Sequence, residues 1–353
     1  MSQPRLGFVG PLLGRNPNWV ISQGETLGAL LAEVGYPVKQ TSFVPNRLLR
    51  LADTIVQLLS WRNQVDVVVL MVFSGPAFGM ADISSWLARV IGKPLVLWLH
   101  GGNLPHFSQQ HPAWVRRVLA RGKRIVSPST YLAHFFAEWG YEVDIIPIGL
   151  VLEDYAYAHR QRVQPRLLWM RTFQDIYYPE MAVEVLAQLQ GSYPEATLTM
   201  AGQPRGTLAQ VQALAIAKGL AGKVRFAGFL DKADKEREFA RHDIFLNTNR
   251  VDNMPVSVVE AAAFGLPVVA TAVGGIPYLL EHEKTGLLVD NADVIGMTTS
   301  IIRLLENPSL AARLSQQGRQ LAESCAWEIV QSKWEELFRI LHPTSARQNR
   351  YER

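Results

Sequence analysis

Apolar residues in the first half of the chain fall into short runs separated by stretches of helical spacing. Residues 6–9 read as a strand, and a helical pattern over 20–34 stops near Gly35. A second strand is predicted at 38–43. Residues 47–61 follow as an amphipathic helix with Leu48, Leu51, Ile55 and Leu59 on one face. The apolar run 65–72 reads as a buried strand, followed by a helix around 84–91 and a strand at 95–99. Strands alternating with helices in this way predict right-handed crossovers and a parallel sheet.

The pattern breaks at Ile146, Pro147, Ile148 and Gly149, and residues 155–165 are polar and basic, which places a linker there. A second alternation then begins. It predicts strands at 167–170, 197–201, 224–226, 244–247 and 267–271, with helices at 179–190, 208–218 and 256–264. The expected organisation is a first domain over 1–155, a second over 156–326, a helix over 327–342 that returns to brace the first domain, and a frayed tail over 343–353. Two doubly wound halves of similar size would bind ligands at the carboxyl ends of their strands.

A length of 353 residues suits two domains, and a 48% hydrophobic share excludes wholesale disorder. The single cysteine, Cys325, rules out an intramolecular disulfide and a thiolate zinc cluster. No run approaches the roughly 18 apolar residues of a membrane span, and Arg5 alone precedes the first apolar stretch. These features lead us to expect a soluble cytoplasmic protein without a signal peptide.

The net charge of +4 is unevenly spread. Residues 83–137 contain no acid but include Arg89, Lys93, Arg116, Arg117, Arg121, Lys123 and Arg124. Trp114, Val115, Val118 and Leu119 alternate with Arg117, Arg121 and Arg124 at helical spacing. That suits a core-packed helix with a solvated basic face, and it also suits a helix lying on an anionic membrane. No nucleic-acid-binding signature accompanies the charge, so nucleic acid is not expected as a partner.

The chemistry concentrates between Asn247 and Asp290. Asp252 lies on a loop before a helix that starts near Pro255, and Glu260 follows eight positions later within that helix. A helix start directs free amides and a positive dipole end at whatever Asp252 reaches, which suits an anionic or polyhydroxyl ligand. Gly274 and Gly275 allow a second backbone segment to come close. No Asp-x-Asp motif and no metal-ligand spacing is present, so no metal is expected.

This stretch resembles the C-terminal domain of the retaining GT-B glycosyltransferases of family 4, the group 1 glycosyltransferases. Two acids eight apart, an Ala-rich helix, the strand from Pro267, the Gly274-Gly275 pair and the strand from Gly286 follow in the family's order, with Asp252 in place of the first glutamate. The resemblance implies an α/β protein of GT-B architecture, two Rossmann-like doubly wound parallel-sheet domains facing each other across a cleft. It further implies sugar transfer from a nucleotide-diphosphate donor to a hydroxyl acceptor, metal-independent and with retention at the anomeric carbon.

Roles carry over by position. Glu260 matches the acid that accepts from the nucleotide ribose, and Asp252 the acid near the donor sugar. Asn253, Met254, Pro255 and Val256 would lie beside sugar and diphosphate, with Gly275 closing the loop. Arg171 matches the arginine on the pyrophosphate, and His100 a histidine reaching the donor sugar from the first domain. Gly24 falls in a helix start resembling the family's Gly-Gly motif. Where the family has a diphosphate lysine, this chain has Ile176, for which Arg250 or Arg205 is a candidate replacement.

That departure keeps a second reading open, a catalytically silent homologue serving as a glycan- or partner-binding subunit. A dinucleotide-dependent oxidoreductase is disfavoured because no Gly-x-Gly-x-x-Gly follows residues 6–9. The expected partners are a nucleotide-sugar donor and a glycan, lipid-linked or other hydroxyl acceptor. Contact with an anionic membrane remains a hypothesis from the acid-free stretch. Trp19, Trp61, Trp98 and Trp169 are expected in the core.

Overall fold

A computed structural model describes residues 3–17 and 19–342, so the tail predicted at 343–353 lies outside the described residues. The first part of the chain runs β1 (Leu6–Val9), α1 (Gln23–Glu33), β2 (Val38–Thr41), α2 (Arg47–Ser60), β3 (Val67–Val72), α3 (Pro76–Val90), β4 (Leu95–Leu99), α4 (Leu104–Gln110), α5 (Pro112–Leu119), β5 (Arg124–Ser127), α6 (Thr130–Ala137) and β6 (Asp144–Ile145). Next come β7 (Arg166–Met170), α7 (Pro179–Leu189), β8 (Thr197–Ala201), α8 (Leu208–Ala217), β9 (Val224–Gly228), α9 (Lys232–Arg241), β10 (Ile244–Asn247) and α10 (Val256–Ala263). The chain finishes with β11 (Val268–Thr271), α11 (Ile276–Leu279), β12 (Leu287–Val289), α12 (Val294–Glu306), α13 (Pro308–Glu323) and α14 (Trp327–Leu341). Contacts divide it into two units, one of residues 1–149 with the stretch from Glu328 onward, the other of 150–327.

The first unit is a parallel sheet in the order β2-β1-β3-β4-β5-β6. The order reverses between β1 and β3, which makes that gap its switch point. β3 and β4 are buried along their whole length, as uninterrupted apolar runs in a covered parallel sheet should be. Trp61 and Trp98 are core, and α14 belongs to this unit, with Trp334 edge-on to Trp98 at 5.3 Å and Phe338 5.8 Å from Tyr36.

Three local expectations change here. The helix predicted from residue 20 begins at Gln23, because Ser22 and Glu25 form a reciprocal capping box that fixes the start. The face of α2 is also reassigned. Arg50, Thr54 and Leu58 are buried, while Leu48 is 79% exposed and Leu59 also faces solvent. Arg50 is held inward by donating to the Val44 and Pro45 carbonyls, and that rotates the leucine-rich stripe outward. Finally, Arg124 is not on the basic helix. It opens β5 and pairs with Asp144 of β6.

The second unit orders its strands β12-β11-β10-β7-β8-β9, all parallel. Its switch point is between β7 and β10, whose side chains are almost wholly buried, Trp169 among them. Most of the polar run 155–165 is exposed, but the segment is pinned at Arg160. Arg160 is buried and its guanidinium donates to the carbonyls of Ala158, Phe264, Phe239 and His242. A single buried cation thereby gathers four carbonyl oxygens and straps the segment down.

Candidate functional site

Strands β7 and β10 diverge into loops on either side of the switch point, and the predicted residues of the second unit gather there. Arg171 is the first residue after β7, where its amide donates to the Ala201 carbonyl at 3.1 Å. Its guanidinium donates to Asp252 Oδ2 and lies over the Tyr177 ring at 4.4 Å, and both partners of the ion pair are largely buried. Burial works against the Arg171 charge, but Asp252, Tyr177 and Glu260 outweigh it, so its pKa is raised. The same charge at Glu260 that helps Arg171 ties the predicted residues into one electrostatic unit.

Asp252 is fully engaged. Oδ2 also accepts from Asn249 Nδ2 at 2.6 Å, and Oδ1 accepts from the Asn253 amide at 2.7 Å. The shorter aspartate is thus turned back onto Arg171 and the start of its own loop. The Asp252 carbonyl accepts from the Gly275 amide at 2.9 Å. A Cβ on Gly275 would lie 1.8 Å from the Asn253 carbonyl oxygen, and one on Gly274, at φ +54°, 2.2 Å from that of Asp252. The close backbone approach expected of this glycine pair is made against the Asp252–Asn253 loop itself.

Asn253, Met254 and Pro255 are buried and Val256 partly so. They lead into α10, whose N-cap is Pro255, and among the described residues no side chain caps that end. Glu260 lies one turn in, buried, paired with Lys235 of α9 and within 3.4 Å of the Tyr155 hydroxyl. Burial first, and then the Glu260 charge, push the Tyr155 hydroxyl far above its usual range, so it is a neutral donor.

Several buried polar atoms at this end of the sheet have no partner: Arg171 Nε, Asn247 Nδ2, Asn249 Oδ1 and Ser257 Oγ. A buried unpaired polar atom costs about 1–3 kcal/mol. Four of them fall around one loop cluster, a local departure from the usual pairing of buried polar groups. Around them the frame is rigid: Trp169 Nε1 donates to Thr248 Oγ1 at 2.9 Å, Thr248 Oγ1 to the Tyr177 carbonyl at 2.8 Å, and Thr271 Oγ1 to the Asn249 carbonyl.

Ile176, the departure from the family pattern, is exposed, and its carbonyl accepts from the Arg250 amide at 2.8 Å. The Arg250 guanidinium stacks 3.9 Å over Tyr178 and lies 3.8 Å from Asp175. Two arginines therefore rest on consecutive tyrosines of one loop, Arg171 on Tyr177 and Arg250 on Tyr178. Among the described residues, no group of three or more His, Cys, Asp or Glu is placed to hold a metal ion.

His100 and Gly24 are in the first unit. His100 directly follows β4, buried between Phe73 at 5.0 Å and Trp98 at 4.4 Å, with Nε2 unpartnered. Burial lowers its pKa to about 3, so the ring is neutral at physiological pH. A Cβ on Gly24 would strike Met71 Sδ at 2.4 Å, which accounts for glycine there by packing of α1 on β3.

Lys235, Tyr155, Asn249 and Ser257 escaped the sequence reading. Lys235 is embedded in the charged run of α9 and looks like any solvated helix lysine. Asn247 and Asn249 carried a signal that could have been used, polar amides closing a wholly apolar strand.

Residues 161–321 match the model of a family described as glycosyl transferases group 1. The chain is 25% identical over 266 residues to the D-inositol 3-phosphate glycosyltransferase of Streptomyces avermitilis, covering 72% of this chain and 55% of that protein. It is 30% identical over 166 residues to the GDP-mannose-dependent alpha-(1-6)-phosphatidylinositol monomannoside mannosyltransferase of Mycolicibacterium smegmatis, covering 45% and 43%. The matched stretch thus spans only about half the length of these curated relatives. Among solved structures, sucrose-phosphate synthase from Thermosynechococcus elongatus is similar with a TM-score of 0.81 at 17% identity, over 97% of this chain and 100% of that one. HepE of Anabaena, in complex with UDP and glucose, is similar with a TM-score of 0.74 at 18% identity, over 95% and 99%. The likeness to these structures is one of fold, the α/β architecture of two Rossmann-like units expected from the motif.

Proposed function

We propose that this chain, whose residues 161–321 belong to the group 1 glycosyl transferases, moves a sugar from a nucleoside-diphosphate donor to a hydroxyl acceptor with retention at the anomeric carbon. The observation that carries this reading is the cluster of buried, unpartnered polar atoms around Arg171 at the switch point of the second unit. A diphosphate sugar supplies what those atoms lack. Its phosphate oxygens accept from Arg171 Nε and from the uncapped first turn of α10. Its ribose hydroxyls donate to Glu260, which keeps a neutral Tyr155 and a charged Lys235 on its other side.

In the transfer step the bond from the anomeric carbon to the diphosphate oxygen breaks, and negative charge builds on the departing phosphate. Arg171, already oriented by Asp252, meets that charge without reorganising, which is where electrostatic catalysis gains most. The acceptor oxygen bonds to the anomeric carbon on the face the phosphate leaves, and its proton passes to a phosphate oxygen. Asp252 acts here as a positioning residue for Arg171, and no metal is invoked. Arg250, tied to the Ile176 carbonyl, is the candidate for the second diphosphate cation. His100 offers a neutral ring at the strand ends of the first unit.

Calorimetry with UDP, GDP, ADP and dTDP tests the reading, comparing the natural chain with Arg171→Ala and Glu260→Ala. Tight binding of one nucleotide, weakened by both substitutions, is the expected result. Failure of all four to bind overturns it in favour of a silent homologue with a partner-binding role.

A further inference from the structure

Helices α2, α3 and α5 form one layer of the first unit. Each belongs to a crossover running the same way across the sheet, from β2 to β3, β3 to β4 and β4 to β5, and right-handed crossovers put all three on one face. α2 packs on α3, and α3 on α5. The outward stripe of such a layer normally meets water and is polar. Here α2 presents Leu48, Leu49, Val56 and Leu59 to solvent, and α3 presents Ile83, Trp86 and Val90, with Val56 64% and Trp86 53% exposed. Leu49, Val56 and Leu59 follow at spacings of seven and three along α2, and Ile83, Trp86 and Val90 at three and four along α3, so they form stripes and not scattered single positions.

The exposed charge on these helices is positive. Arg47, Arg89, Arg116 and Arg117 are exposed, and residues 83–137 contain no acid. Asp82, one residue earlier, is shared. Its carboxylate accepts from Trp114 Nε1 at 2.8 Å, Arg117 at 2.5 Å and Arg121 at 2.6 Å. One carboxylate divided between two guanidinium groups leaves the cluster net positive and holds Arg121 in place, with its third bond to Ser85 Oγ at 2.9 Å. Between α3 and α5 these side chains enclose an open cavity of about 600 Å³, lined by Trp86 and Val90 and rimmed by Arg89, Arg117, Ala120 and Arg121.

We infer that this layer is a docking surface for an anionic phospholipid membrane. The aliphatic stripes and Trp86 enter the headgroup boundary, and a lipid phosphate sits in the arginine-rimmed cavity. Charge complementarity selects that occupant. An apolar face ringed by cations matches acyl chain and anionic headgroup together, whereas a second copy of the chain would bring arginines against arginines. Among the described residues no helix is long and apolar enough to cross a membrane, so the contact is peripheral. The face owes nothing to the proposed donor site and stands whether or not a nucleotide binds there.

Vesicle sedimentation of the full chain tests it, using phosphatidylcholine vesicles with and without phosphatidylglycerol at low and high salt. The expected result is binding at least about tenfold stronger to anionic than to neutral vesicles, weakened by salt. Val56→Glu with Trp86→Glu, both at exposed positions, should reduce binding about tenfold with an unchanged far-UV spectrum and melting temperature. Arg89→Ala, a milder exposed variant, should weaken binding to anionic vesicles only. Equal binding to both vesicle types, or full binding by the double variant, overturns the proposal. So does sedimentation equilibrium showing a dimer that Val56→Glu dissociates, which would assign the face to a second copy.

Discussion

In the second unit His242 is buried at the end of α9 with both ring nitrogens engaged, Nδ1 at 2.6 Å from the Glu238 carbonyl and Nε2 at 2.9 Å from Thr199 Oγ1. In the first unit His100 is equally buried, but its Nε2 meets only aromatic rings. Both rings are driven towards neutrality by desolvation. Burial alone therefore does not separate the two rings, whereas their hydrogen bonding does. The same test applied to arginines sets Arg160, with four carbonyls on its guanidinium, against Arg171, with Nε left over.

The sharpest way to break this contrast is to remove Arg171. Arg171→Ala should lower nucleotide affinity about 100-fold, about 2.7 kcal/mol, by calorimetry. An affinity within a few-fold of the natural chain would show that the unpartnered Nε serves no ligand.

The glycines give the next effect. Gly275→Ala drives a methyl into the Asn253 carbonyl, a backbone atom that cannot yield, and should destabilise by about 3 kcal/mol in denaturant unfolding. Gly24→Ala meets a flexible methionine end and should cost about 1 kcal/mol. A reversed order would mean that α1 is seated more rigidly than the Asp252 loop.

The histidines themselves predict a pH dependence. Unfolded His100 binds its proton near the ordinary imidazole value, and folded His100 only near pH 3. The unfolded state thus holds the extra proton between these values, and stability falls as pH drops from about 6.5, by up to about 1.4 kcal/mol per pH unit. His100→Asn should flatten that slope in unfolding curves taken between pH 6.5 and 5. An unchanged slope would move the effect to His242.

The smallest effect is expected at Lys235, one-third exposed in its pair with Glu260. Lys235→Ala should change stability by less than about 1 kcal/mol and nucleotide affinity by only a few-fold. A loss as large as that of Arg171→Ala would make Lys235 the missing diphosphate cation.

Much of this was legible in the chain, because buried parallel strands are written as uninterrupted apolar runs. Residues 65–72 and 244–247 need no tertiary information, and Pro255 announces its helix start by its own restricted backbone. What stayed hidden depends on partners distant in sequence. The buried face of α2 is set by the inward turn of Arg50, and the packing of residues 155–165 by carbonyls roughly eighty and a hundred positions away. At the site, Glu260 and Arg171 could be placed by motif, but Lys235 and Tyr155 reach Glu260 from 25 and 105 residues off. Periodicity cannot report such meetings.

Leu150 and Ala326 form a parallel bridge. The Leu150 amide donates to the Cys325 carbonyl at 2.9 Å, and the Leu150 carbonyl accepts from the Trp327 amide at 2.8 Å. The second unit therefore begins and ends at one point, its two chain crossings stitched side by side. In genealogical terms it has the form of a cassette, entered and left at a single seam. A gene fragment encoding residues 150–327 should carry its own closure with it and yield a folded piece, because the stitch that seals the ends travels inside the fragment.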